Sequence, residues 1–80
     1  MGSSMSNISI AEQRVKNAQA NLEARKRDKE NAKASGNYQR ASKNFNCGGK
    51  SMNSYDANIY NAKETLKRAK EDLAWAKKNK

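Results

Sequence analysis

The side chains that most often carry out enzyme catalysis are scarce in this sequence of 80 residues. Histidine is absent and Cys47 is the single cysteine, so the Ser–His and Cys–His pairs of nucleophilic catalysis cannot form. Acidic residues are few for a metal site built from carboxylates, and the adjacent Glu71 and Asp72 would point to different sides of a helix. We therefore predict that the protein is not an enzyme and holds no metal and no cofactor.

Residues 44–51 come close to the pattern of a phosphate-binding loop, G-x-x-x-x-G-K-S/T. They end in Gly49-Lys50-Ser51, but Asn44 stands where the pattern has its first glycine. Such a loop follows a buried β-strand, and the residues before Asn44 lack the apolar pattern of a strand. We interpret the segment as a glycine turn that precedes a helix.

Positive charge is concentrated in the middle of the chain. The net charge is +9, and residues 25–50 contain only two acidic side chains, Asp28 and Glu30. The candidate basic binding residues are Arg25, Lys26, Arg27, Lys29, Lys33, Arg40, Lys43 and Lys50. The candidate aromatic contacts among them are Tyr38, Phe45, Tyr55 and Tyr60. Cations for phosphates and rings for base stacking are typical of a single-stranded nucleic-acid binder. Rings packed in a hairpin tip beside solvated charges would give the same pattern without a ligand.

Trp75 is a fifth aromatic candidate, near the end of the chain. Beside an apolar helix stripe, an exposed tryptophan can anchor a protein partner. The simpler interpretation is that Trp75 covers the open end of a hairpin by packing on Ile8 or Ile10. We prefer the simpler interpretation because the chain has so few core residues.

These side chains have to be positioned by two helices with matching apolar stripes. In the second half of the chain, steps of three and four residues connect Ile59, Ala62, Leu66, Ala69, Leu73 and Ala76. In the first half the same spacing connects Ile8, Ala11, Val15, Ala18, Leu22 and Ala32. Two such stripes predict an all-α fold, an antiparallel two-helix hairpin packed as a coiled coil along an alanine-rich seam. Arg25 and Lys29 interrupt the first stripe, and we expect either that both extend from the seam into solvent or that the two helices separate at this level.

The stripes and their end signals divide the chain. Residues 1–5 are predicted to be a tag remnant with the native start, and residues 6–80 a single helical-hairpin domain. A capping box that begins at Ser9 starts a first helix at about 9–35. The second helix spans about 53–78, with an acidic residue in its first turn.

The connection at 36–52 is long for two packed helices and leaves room for a short extra helix. A rival interpretation extends the first helix to about Asn46 and turns at Gly48-Gly49. We prefer a break at Gly36 because it places Leu22 opposite Leu66.

Such a hairpin has a small core. Each large seam side chain contributes roughly 1.5–3 kcal/mol when it is buried, and the ordering of two long helices costs a comparable sum. We therefore expect a homo-oligomer or a protein stabilised by its partner. No apolar run is long enough for a membrane span, and the expected location is the cytoplasm.

Three hypotheses of function follow. The first is a non-enzymatic module whose basic hairpin surface binds a macromolecule, in first place a protein with an acidic or nucleic-acid-binding surface, and acts as an adaptor or as an inhibitor. The second is direct binding of single-stranded DNA or RNA. The third is a structural coiled-coil oligomer with no other partner.

Overall fold

A computed structural model of the protein describes residues 7–78, so the predicted tag remnant at 1–5 lies outside the described residues. The elements in chain order are α1 (Asn7–Ser35), α2 (Asn37–Arg40), β1 (Phe45–Cys47), β2 (Lys50–Met52) and α3 (Ser54–Lys78). The long helices α1 and α3 pack together, and the protein is mostly helical, as predicted. The small sheet formed by β1 and β2 departs from the all-α prediction.

The contacts between α1 and α3 run in opposite directions along the two helices. Lys29, near the end of α1, contacts Asp56 at the start of α3. Arg14, near the start of α1, lines the same groove as Asp72 near the end of α3. Leu22 and Leu66 belong to one core cluster between these points, as the preferred pairing requires.

The core is narrow and consists mainly of alanine. Its buried hydrophobic residues in the described part of the chain are Ala11, Ala18, Leu22, Ala32, Ala57, Ala62, Leu66, Ala69 and Ala76. All of them except Ala57 belong to the predicted stripes. Val15 and Ile59 are half-buried and pack on the central cluster. Small side chains allow the two helix backbones to approach closely, but they bury little apolar surface.

The two residues that interrupt the first stripe behave differently. Arg25 is exposed, as predicted. Lys29 does not extend freely into solvent, because its ammonium group lies 2.7 Å from the Asp56 carboxylate and its side chain is only 26% exposed. A polar contact therefore replaces apolar packing at this level of the seam.

Helix α1 begins at Asn7, so the predicted capping box is wrong: Ser9 already lies in the first turn. The helix ends at Ser35 because Gly36 adopts the left-handed conformation with φ 85°, which glycine accepts most readily. The Gly36 N–H donates to the Lys33 carbonyl at 3.3 Å and closes the last turn. The rival interpretation, a first helix that continues to Asn46, is wrong.

The connection contains the short helix α2, for which the prediction left room, and a β-hairpin that it missed. Gly48 and Gly49 both have positive φ, as a two-residue turn that matches strand twist requires. The strands pair antiparallel, and the Ser51 hydroxyl donates to the Asn46 side chain across them at 3.0 Å. We interpreted residues 44–51 as a glycine turn that precedes a helix. In the structure, the glycines of this segment join two short strands, and β2 lies between them and α3.

Candidate binding surface

Asp56 connects three elements at the tip of the hairpin. One carboxylate oxygen, Oδ1, accepts a hydrogen bond from Lys29 Nζ of α1 at 2.7 Å. The other, Oδ2, accepts one from the Tyr38 hydroxyl of α2 at 2.6 Å. The Asp56 backbone N–H donates to Asn53 Oδ1 at 2.9 Å. We call Lys29, Tyr38, Asn53 and Asp56 the Asp56 cluster.

Asn53 is the cap of α3 and the most deeply buried polar residue of the described chain, with 2% of its surface exposed. Its side-chain oxygen accepts the Asp56 N–H, and its carbonyl accepts the Ala57 N–H at 2.9 Å. Asparagine is a preferred cap residue because its side chain satisfies an amide that the helix leaves unpaired. The sequence predicts the start of α3 near Asn53 but gives no sign that this residue is buried.

The Asp56 cluster changes the proton affinity of its members. Partial burial by itself would raise the pKa of the Asp56 carboxyl. The hydrogen bonds from Lys29 and Tyr38 and the charges of Lys29 and Lys33 outweigh burial, so this pKa lies below its ordinary value. The hydrogen bond to Asp56 raises the pKa of the Lys29 ammonium and that of the Tyr38 hydroxyl. Around neutral pH the Asp56 carboxylate and the Lys29 ammonium are therefore charged, and the Tyr38 hydroxyl keeps the proton that it donates to Asp56.

Tyr38 is engaged inside the chain on its ring as well as on its hydroxyl. The ammonium groups of Lys29 and Lys33 lie 5.2 and 5.4 Å from the centre of its ring. The ring of Tyr55 lies 6.2 Å away in a tilted arrangement. These contacts stabilise the tip, and they occupy the ring that base stacking would use.

The remaining aromatic candidates do not meet at one surface. Tyr60 lies against the hairpin turn, where a Cβ atom at Gly48 would come within 2.7 Å of its hydroxyl. Phe45 is 49% exposed in β1. Trp75 is 65% exposed near the end of α3, and its packing on Ile8 or Ile10 stays a prediction. The candidate rings are therefore distributed between the tip, the β-hairpin and the end of α3.

Lysines gather along one side of the helix pair. A groove between α1 and α3 is lined by Lys26, Lys29, Glu30, Lys33, Ile59 and Lys63. A second groove continues it along α3 and is lined by Lys63, Leu66, Lys67, Lys70, Glu71 and Ala74. Lys63 belongs to both, which makes the two grooves one surface. We define the lysine face as Lys26, Lys29, Lys33, Lys63, Lys67 and Lys70.

The opposite side of the seam is mixed in charge. Its basic residues are Arg14, Arg25 and Arg68, and its acidic residues are Asp28 and Asp72. Asparagines at 17, 21, 31 and 58 lie between these charged side chains. We call this side the mixed face. Its charges nearly cancel, so it attracts polyanions far less than the lysine face.

The predicted basic residues are distributed over several parts of the molecule. Arg25, Lys26 and Arg27 are adjacent in sequence, yet Lys26 lines the lysine face, Arg25 lines the mixed face and Arg27 lines neither. Lys43 shares a cavity at the tip with Lys33.

Two other predicted basic residues lie in the connection. Arg40 ends α2 beside Gly36, and Lys50 is exposed in β2. Sequence reasoning missed Lys63, Lys67 and Lys70, although their spacing of four and three residues was a detectable signal.

The described residues 7–78 contain no group of three His, Cys, Asp or Glu side chains arranged to hold a metal ion. Over the same range, no helix has both the length and the apolar character needed to cross a bilayer. No protein-family model, no curated protein and no solved structure matches this chain.

Proposed function

We propose that the protein is a small non-enzymatic binding module whose lysine face binds an acidic surface of a partner protein. The proposal rests on the concentration of uncompensated positive charge on that face. Among the described residues, Lys33, Lys63, Lys67 and Lys70 have no carboxylate within ion-pair distance. Lys26 reaches Glu23 only at 3.8 Å with both side chains about half exposed, a weak contact.

Like charges placed side by side repel one another, and an acidic partner removes that repulsion. Lys26 of α1 and Lys63 of α3 line the same groove, whose lining includes one acidic residue, Glu30. Two unit charges 4 Å apart near a protein surface interact by about 4 kcal/mol, and dissolved salt and side-chain motion reduce this energy. The lysine face thus favours approach and binding of a negatively charged partner.

A protein suits this face better than a single-stranded nucleic acid. Stacking on bases needs free rings beside the cations, and the candidate rings lie elsewhere or are engaged, as Tyr38 is with Asp56. The face consists of lysines, which act as point charges without the planar geometry that arginine offers to phosphates. Its groove also exposes apolar surface at Ile59 and Ala74, which phosphates do not use.

Charge also distinguishes between the two predicted kinds of partner surface. A nucleic-acid-binding site is itself basic and would repel the lysine face. An acidic surface attracts it. The module therefore acts by covering an acidic surface, and inhibition follows where that surface has another cationic ligand. We propose the cytoplasm as its location.

The test is capture of partners from lysate of the source cells, with and without nuclease. One variant removes three lysines of the face, Lys26→Gln, Lys63→Gln and Lys70→Gln. The matched control removes three arginines of the mixed face, Arg14→Gln, Arg25→Gln and Arg68→Gln, so that net charge falls equally. We expect an acidic protein that survives nuclease and is retained by wild type and control but lost by the lysine variant.

Two outcomes would overturn the proposal. Equal loss in both variants would show that total charge matters and the lysine face does not. Retention that disappears with nuclease would favour the nucleic-acid hypothesis, and filter binding of the purified protein to single-stranded DNA and RNA at low salt would then measure it directly.

A further inference from the structure

We propose that the partner element recognised by the lysine face is an amphipathic α-helix with acidic flanks. It packs as a third helix along the groove that begins between α1 and α3 and continues along α3. This inference rests on the proposed function and specifies its ligand. It depends on three features of the groove: its apolar floor, the spacing of its lysines and the thin core beneath it.

The floor of the groove is apolar. Leu66 and Ile59, which belong to or pack on the core cluster, form part of the lining, and Ala74 continues it toward the end of α3. A helix can cover such a floor with its own apolar stripe. An extended acidic chain or a phosphate backbone has nothing comparable to place there.

The lysines flank the floor with the repeat of a helix. Lys26 and Lys33 on α1 are seven residues apart, as are Lys63 and Lys70 on α3. Seven residues correspond to about 10.5 Å along a helix. Carboxylates that repeat every heptad in a third helix would therefore meet Lys26 and Lys33 of α1 in the part of the groove near the tip. Farther along the groove, the same repeat would meet Lys63 and Lys70 of α3. From Ile59 to Ala74 the groove extends for about 22 Å, or four helical turns.

A second copy of this chain does not suit the groove. Its two long helices interleave their acidic residues with a larger number of lysines and arginines, so two lysine faces would repel each other. Charge complementarity therefore selects a different chain as the third helix. The described core consists mostly of alanine and buries little apolar surface, so a third helix would add stability to the hairpin.

The probe is a synthetic three-heptad peptide with leucine at the a and d positions and glutamate at the e and g positions. The repelling glutamates keep the peptide from pairing with itself. A second peptide has the same composition in a shuffled order that removes the apolar stripe. Binding to the full-length protein is measured by isothermal titration calorimetry, and helix content of each mixture by circular dichroism.

We expect the heptad peptide to bind at least about tenfold more tightly than the shuffled peptide. We also expect the mixture to be more helical than the sum of its parts. The variant without Lys26, Lys63 and Lys70 should bind the heptad peptide more weakly than the wild type does, and the mixed-face control should bind it about as tightly as the wild type. Circular dichroism of each free variant establishes that it is folded before binding is compared.

Equal binding of the two peptides would overturn the helix inference and leave the proposed function intact, since both peptides are acidic. Binding of neither peptide would also overturn the inference. The proposed function has its own test in the capture of an acidic partner, so the two failures are distinguishable.

Discussion

The lysine face and the mixed face lie on the same two helices and differ mainly in how charge is arranged. On the lysine face six lysines accompany Glu30 and Glu71 around an apolar groove. On the mixed face three arginines alternate with Asp28, Asp72 and asparagines. The sequence interleaves the residues of the two faces, and helix geometry sorts them. Binding properties in this protein therefore depend on the face of the helix pair more than on the segment of the chain.

The sharpest way to break this comparison is to reverse charge on one face at a time. We expect Lys26→Glu, Lys63→Glu and Lys70→Glu together to weaken binding of the acidic heptad peptide by about a hundredfold or more, because attraction becomes repulsion. Arg14→Glu, Arg25→Glu and Arg68→Glu change net charge equally and should weaken it by less than about fivefold through long-range field alone. Calorimetric dissociation constants that rise equally for both variants would contradict the assignment of faces.

Salt should also distinguish the two faces, but with a smaller change in peptide affinity than charge reversal produces. Raising ionic strength from low salt to a physiological level shortens the screening length to about 8 Å, and we expect wild-type affinity for the heptad peptide to fall by about tenfold. The variant lacking three lysines by substitution with glutamine should show a shallower dependence, and the arginine control should retain the steep one. Titrations at a series of salt concentrations measure the slopes, and parallel slopes in all three proteins would be inconsistent with this account.

The Asp56 cluster lies where the lysine face meets the tip. Removal of the Asp56 carboxylate should therefore lower the stability of the fold and strengthen binding of an acidic peptide. We expect Asp56→Asn to lower the free energy of unfolding by about 1–2 kcal/mol, because Lys29 and the Tyr38 hydroxyl lose a charged acceptor. The released ammonium should slightly strengthen binding of the acidic peptide. Urea unfolding measures the first effect, and calorimetry the second.

Asp28→Asn is the matched control, since Asp28 lies on the mixed face without an ion pair among the described residues. It should change stability by less than about 0.5 kcal/mol.

The stabilities of the two variants should also depend differently on pH in acid. The depressed pKa of Asp56 makes its contribution complete above the ordinary carboxyl pKa and lost as pH falls below about 4. Wild type and Asp28→Asn should therefore lose stability in this range more steeply than Asp56→Asn.

The smallest effect is expected in the β-hairpin, which neither face includes. Gly48→Ala should destabilise the protein by about 1 kcal/mol, because it places a side chain at φ +59° and 2.7 Å from the Tyr60 hydroxyl. Gly49→Ala has a similar backbone cost but meets open space, so it should cost less. Thermal unfolding ranks the two variants, and both should bind the acidic peptide within about twofold of wild type. A larger loss of binding would place the hairpin in the binding surface.

The sequence predicted the parts of the fold that depend on residues close together in the chain, which are the helices and their buried faces. The apolar stripes identify almost every buried residue, and Gly36 predicts the end of α1. The contact between Lys29 and Asp56 was missed because it joins residues that are distant in sequence and depends on how α1 and α3 are aligned. The β-hairpin was missed although Gly48-Gly49 is a known two-residue turn signal, because the flanking residues are mostly exposed and polar.

The candidate surface was predicted only in part for a different reason. Charge was counted along the chain, which favoured the dense segment around Arg25 and Arg27. Counting it by helix face would have brought Lys63, Lys67 and Lys70 together with Lys26. Trp75 was predicted to cover the open end of the hairpin because the chain has few core residues, and the structure leaves 65% of it exposed near the end of α3.

The Asp56 cluster has one more consequence, for the choice among alternative alignments of α1 and α3. A seam of repeated alanines is nearly self-similar, so a slide of α3 by one heptad would again place small residues opposite small residues. The slide would carry Asp56 away from Lys29 and Tyr38 and leave a partly buried cation without its partner. The Asp56 carboxylate thereby favours the native alignment over alignments shifted by a heptad. A single buried polar residue has the same effect in coiled coils whose apolar contacts do not select one register.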